Sequence, residues 1–168
     1  YYIRDSVMKT QTWKTDKPYV IINNALIDEG QTLTIPAGCR IYVHADSRLL
    51  IWGTLNAVGT KKDSIIFQGD RLDRKYFGNV GYPGEWGGLY FNKTSHDNLM
   101  NYVILRNCGN STKLGNGVFS PAAIQLNQDT INDAKAMLTM SNCIVENSIG
   151  YGILAFGSTL VAENCLIN

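Results

Sequence analysis

The chain is made of short apolar runs, three to five residues long, separated by Gly, Asn, Asp or Ser. Within a run every second residue is apolar: Leu33-Thr-Ile35, Ile41-Tyr-Val43, Leu49-Leu-Ile51 and Leu89-Tyr-Phe91. A period of two marks a strand with one buried face, whereas a helix repeats its apolar positions every three to four residues. The pattern predicts strands at 33–35, 41–43, 49–51, 65–67, 88–91, 102–105, 123–126, 143–145, 152–155 and 165–167.

The runs also repeat one another. "LTMSNCIVEN" (138–147) aligns with "LVAENCLIN" (160–168) at an offset of 22, which matches Leu138 to Leu160, Asn142 to Asn164 and Cys143 to Cys165. Leu33 and Ile35 match Leu55 and Ala57 at the same offset, and Ile41 and Val43 match Ile65 and Phe67 at 24. "MNYVILRN" (100–107) matches "MSNCIVEN" (140–147) at 40, and "AAIQL" (122–126) matches "YGILAF" (151–156) at 29, offsets of one repeat plus an insertion. A strand of four residues cannot bury a face alone, but a stack of such strands buries a continuous column. The expected fold is all-β, a right-handed parallel β-helix with rungs of roughly 22 residues, its hand taken from the bias of parallel crossovers.

In that fold residues one repeat apart lie one strand spacing apart. Cys143 and Cys165 then form a small apolar ladder of free thiols, because cysteine packs well as a buried hydrophobe. Asn142 and Asn164 form an amide ladder. Residues 1–18 read as a lead-in and 19–168 as the β-helix domain, truncated at its C-terminus. "YVIINNALI" (19–27) is placed to cover the N-terminal end. "LVAENCLIN" stops within a repeat, and an uncovered end predicts either further rungs or end-to-end self-association.

Composition narrows the function. At 168 residues one domain with a sizeable core is possible. A net charge of +1, with 17% charged residues and no basic run, argues against nucleic acid as a partner. No apolar run reaches the roughly 18 residues of a membrane span. Cys39, Cys108, Cys143 and Cys165 form no CxxC pair, and His44 and His96 are far apart, so neither a disulfide framework nor a metal site is expected. No cofactor is expected.

"KPYVI", "TLTIPAG", "GTLNAVGT", "IIFQGDRL" and "PGEWGGLYF" resemble the N-terminal part of right-handed parallel β-helix proteins of Bacteroides-type bacteria, within the pectin-lyase-like superfamily. The resemblance spans residues 13–168 and is most specific from Gly53 to Phe91. It implies an exported protein, extracellular or at the cell surface, with an outer-membrane lipid anchor signalled outside this chain. It also implies that the chain is a piece of a longer one. The superfamily includes enzymes acting on pectin and polygalacturonan. Of the polygalacturonase motifs, Asn127-Gln128-Asp129 fits the Asn-x-Asp; the Asp-Asp, Gly-His-Gly and Arg-x-Lys motifs are absent. No Asp ladder at the 22-residue spacing is present to hold calcium for lyase chemistry.

The candidate site is "QGDRLDRKYFGNVGYPGE" (68–85) with Trp86, too long for a tight turn. Asp70, Arg71, Asp73, Arg74, Tyr76, Tyr82, Glu85 and Trp86 combine aromatic faces with charged groups, as sugar sites do. The plainer alternative is that Asp70–Arg71 and Asp73–Arg74 pair locally while Tyr76, Phe77 and Trp86 cover one side of the coil. Pro83-Gly84 supplies a turn, and Gly87-Gly88 allows a close approach to a neighbouring rung. Two further excursions, 107–123 and 127–135, read as solvated loops, the second with one helical turn. The functional expectation is a non-catalytic surface scaffold touching a polysaccharide or envelope glycan through 68–86. The alternatives are a polysaccharide lyase or glycoside hydrolase whose site lies partly outside the chain, and a spacer or assembly module.

Overall fold

The computed structural model describes residues 1–71, 82–111, 113–114, 117–129 and 131–168. It begins with β1 (Tyr2–Met8), β2 (Gln11–Thr12), β3 (Tyr19–Ile27), β4 (Thr32–Pro36), β5 (Arg40–Val43), β6 (Arg48–Ile51) and β7 (Thr54–Val58). Then come β8 (Ile65–Gly69), β9 (Gly88–Phe91), β10 (Asn98–Asn101), β11 (Val103–Arg106), β12 (Lys113–Leu114), β13 (Gly117–Val118) and β14 (Ala122–Leu126). The last are β15 (Gln128–Asp129), β16 (Ala134–Lys135), β17 (Met137–Ser141), β18 (Ile144–Glu146), β19 (Tyr151–Ala155), β20 (Thr159–Glu163) and β21 (Leu166–Ile167). The fold is all-β, with parallel strands in a nearly closed, barrel-like sheet.

The pairing explains the repeats. One column runs β2-β4-β7-β10-β17-β20. The larger sheet holds two more, β5-β8-β11-β18-β21 and β6-β9-β14-β19, which diverge from the two halves of the long strand β3. The chain visits these columns in a constant order, circuit after circuit. Thr32 pairs with Thr54 and Leu138 with Leu160, the offset of 22 seen in the sequence. Met100 pairs with Met140, and Ala122 with Tyr151, at the expected 40 and 29.

One register differs. Ile41 pairs with Phe67 and Val43 with Gly69, an offset of 26 rather than 24. A slip of two residues keeps the same face inward, so the apolar pattern cannot reveal it.

Inward residues stack into columns such as Ile41–Phe67–Leu105–Val145 and Leu49–Leu89–Ile124, all buried. Each such side chain contributes about 1.5–3 kcal/mol on burial. Residues 1–18 belong to this stack: β1 pairs with β3, β2 pairs with β4, and Trp13 is buried with its ring 4.0 Å from that of Tyr19. Residues 19–27 therefore do not cover an end. They are interior to the sheet, flanked by β1 on one side and by β5 and β6 on the other.

The cysteines are free thiols, and Cys143 is buried. Burial pushes the Cys143 thiol up to about 11 and that of Cys108 up to about 12, so both stay protonated at neutral pH. The amide ladder is present: Asn164 donates to Asn142 Oδ1 (2.6 Å), and Asn142 donates onward to Asn101 Oδ1 (2.9 Å). A second ladder links Asn147 to Asn107 (2.6 Å). Asn107, Asn142, Asn147 and Asn164 all have positive φ, which Asn tolerates better than most residues, so these corners select Asn for backbone as well as side chain.

The excursions contain antiparallel hairpins, β12–β13 and β15–β16. The helical turn expected within 127–135 is replaced by the second hairpin. Asp129 holds its tip by accepting hydrogen bonds from the Ile131 amide and Asn132 Nδ2, each at 3.0 Å. Lys93 pairs with the same carboxylate and, as the largest cause, lowers its pKa. The Asp of the Asn-x-Asp tripeptide is thus engaged in a turn.

Candidate glycan-contact site

β8 ends at Gly69, and the chain leaves the sheet at Asp70. Because Val43 lies opposite Gly69, the next residues, His44 and Asp70, stack across adjacent circuits. Their side chains meet, with His44 Nδ1 2.6 Å from Asp70 Oδ2. Among the described residues the other oxygen, Oδ1, is buried and accepts no hydrogen bond. The contact fixes the half-exposed imidazole through Nδ1.

The chain returns at Tyr82, whose amide donates to Glu85 Oε1 (3.2 Å). Glu85 is only 8% exposed, and its carboxylate lies against Gly69, where a β-carbon would come within 2.1 Å of Oε2. The Glu85 amide donates to Asn107 O (2.7 Å), tying the turn to the next circuit. Tyr82 is 50% exposed.

Trp86 is fully buried, and this corrects its place among the sugar contacts. Its ring is stacked near Phe67, with centroids 6.3 Å apart, and Nε1 donates to Arg106 O (2.8 Å). A ring with both faces packed offers none to a sugar; the packing alternative holds for this residue. The described candidates therefore sort into an outer group of Asp70, Arg71 and Tyr82, and an inner pair of Glu85 and Trp86 that supports it. Asp73, Arg74 and Tyr76 lie outside the described residues.

The sequence reading missed His44. At the expected offset of 24 it would sit beside Gln68; only the true offset of 26 brings it to Asp70. Also missed was Arg48, fully buried at the start of β6. It donates to Asn110 O (2.8 Å) and Ser120 O (3.0 Å), and its guanidinium lies 5.1 Å from the centre of the Phe119 ring. Burial pulls its pKa down to about 10, which still leaves it charged at neutral pH. Arg48 thus ties Asn110 and Ser120 to the start of β6.

Among the described residues no group of three or more His, Cys, Asp or Glu is placed to hold a metal ion, and no helix is long and apolar enough to cross a membrane. Compared with models of known families, with curated proteins and with solved structures, the chain matches none.

Proposed function

We propose that the chain is a stretch of right-handed parallel β-helix, of the kind carried by Bacteroides-type surface proteins, acting as a non-catalytic scaffold that contacts a glycan at the cell surface. The constant order in which the chain visits three columns, and the repeat of 22 residues, support the coil. The observation that carries the function is Tyr82, half-exposed on a turn braced by Glu85, whose carboxylate lies against Gly69, the residue before Asp70 and the exposed Arg71. An aromatic face beside polar and charged groups suits a sugar, whose ring has an apolar face and hydroxyl edges. In glycan-array binding, Tyr82→Ala is expected to weaken the preferred glycan by about 1–3 kcal/mol with the fold intact. Unchanged binding would remove this surface from consideration.

A second reading, as an assembly module, is favoured by a different observation. Tyr151, Val161, Leu166 and Ile167, on β19 to β21, are exposed apolar residues, and these strands are the outermost of their columns. An exposed apolar strand edge is a template for pairing with another copy. Light scattering across a concentration series should show self-association that Leu166→Lys suppresses. A protein that stays monomeric at every concentration would end this reading.

A further inference from the structure

Cys143 and Cys165 occupy the same place on consecutive circuits. Ser141 pairs with Glu163 before them and Ile144 with Leu166 after them, so their α-carbons lie one strand spacing apart, about 4.8 Å. That is inside the range of about 4.4–6.8 Å between the α-carbons of a disulfide. The residues just before them, Asn142 and Asn164, share one corner with Tyr102 of the circuit before.

The two side chains take equivalent positions. Cys143 Sγ contacts Ser141 O (3.2 Å) and Met100 O (3.6 Å), and Cys165 Sγ contacts Glu163 O (3.2 Å) and Met140 O (3.8 Å). Met100 pairs with Met140 and Ser141 with Glu163, so one set of contacts is the other moved along by a circuit. The thiols also meet. Burial is the main cause that raises the Cys143 pKa, and a side-chain hydrogen bond with Cys165 adds to it.

Access is unequal. Of the four cysteines Cys39, Cys108 and Cys143 are buried, and only Cys165 is partly accessible. It lies between β20 and β21, which have neighbours on one side only, β17 and β18. An oxidant therefore reaches one thiol, and a second stands behind it, the arrangement of an attacked cysteine with its resolving partner.

We propose that Cys143 and Cys165 are a cross-linking site, a dithiol that closes to a disulfide between consecutive circuits. The oxidant is a small-molecule or protein disulfide. The Cys165 thiolate attacks one of its sulfurs, which breaks that S–S bond, forms a mixed disulfide and releases one thiolate. Cys143 gives up its proton and attacks Cys165 Sγ, forming the Cys143–Cys165 bond and expelling the second thiolate. In balance, two electrons and the two thiol protons pass to the oxidant, which becomes two thiols. Ser141 O also accepts from the Tyr102 amide (3.2 Å) and Glu163 O from the Asn142 amide (3.0 Å), so neither is orphaned when the S–H protons leave. The bond fastens β20 and β21 to β17 and β18, and it persists in an oxidising setting such as the cell surface proposed above.

The test is treatment of the reduced chain with oxidised glutathione, followed by alkylation and peptide mapping. Cleavage after Lys135, Glu146 and Glu163 puts each of the two cysteines on its own peptide. The parent is expected to lose two of its four thiols and to yield 136–146 linked to 164–168 from a monomeric band. Its thermal midpoint should rise by about 5–10 °C and fall back with dithiothreitol. Cys143→Ala, which keeps a small apolar group in the buried place, should trap one glutathione on Cys165. Cys165→Ser should leave its remaining thiols unmodified. Four thiols retained in the parent, a lasting glutathione adduct on the parent, a bond to Cys108 or between two chains, a midpoint unmoved by oxidation, no adduct in Cys143→Ala, or a modified thiol in Cys165→Ser would each overturn the proposal.

Discussion

Trp86→Ala is expected to destabilise the protein by about 3–5 kcal/mol, the usual cost of truncating a large buried aromatic. Two effects combine. The cavity cannot collapse easily, because it is bounded by Phe67 and by strands that are paired with their neighbours. The carbonyl of Arg106 also loses its Nε1 donor at 2.8 Å, and a lost hydrogen bond costs about 0.5–1.5 kcal/mol. Urea unfolding should show the loss as a lower midpoint with unchanged slope. Trp86→Phe keeps most of the ring and loses the hydrogen bond, so it should fall between the two. If Trp86→Ala is as stable as the parent, the ring is not the packing element described here.

Gly88→Ala should cost about 2–6 kcal/mol, combining backbone strain with overpacking. Gly88 has φ +100°, where a β-carbon is poorly tolerated. That carbon would also lie 2.4 Å from Ala123 O and 2.6 Å from Ala122 O. Both are backbone atoms of the neighbouring strand β14 and cannot turn aside. Gly87 is constrained from the other side, since a β-carbon there would lie 2.3 Å from Arg48 Cγ. Alanine at 88 should therefore loosen the β9–β14 pairing, and hydrogen exchange should rise first at Leu89 to Phe91 and at Ile124 to Leu126. Full protection of both strands would show that the close approach is dispensable.

These two residues lie within "PGEWGGLYF", where much of the local structure is legible in the sequence. Pro83-Gly84 does form a turn, Gly87-Gly88 does allow close passage, and β9 spans the expected 88–91. The sequence left open whether Trp86 is packed or offered to a ligand. That depends on Phe67 and Arg106, far away along the chain and brought near only by stacking.

The sequence by itself determined what repetition and local chemistry carry: period-two runs that make strands, the offsets of 22, 29 and 40 that set most registers, and the Asn corners that stack as ladders. These are encoded residue by residue, because alternation, amide self-pairing and tolerance of positive φ are properties of short segments. Tertiary structure alone decided the rest. A two-residue slip that conserves face is invisible to an apolar pattern, and it was this slip that brought His44 to Asp70. Whether an aromatic is offered or packed is equally a matter of long-range contact. Trp86 turns inward and Tyr102 takes a corner that the neighbouring circuits give to asparagine, because in both cases the deciding contacts lie on other circuits of the chain.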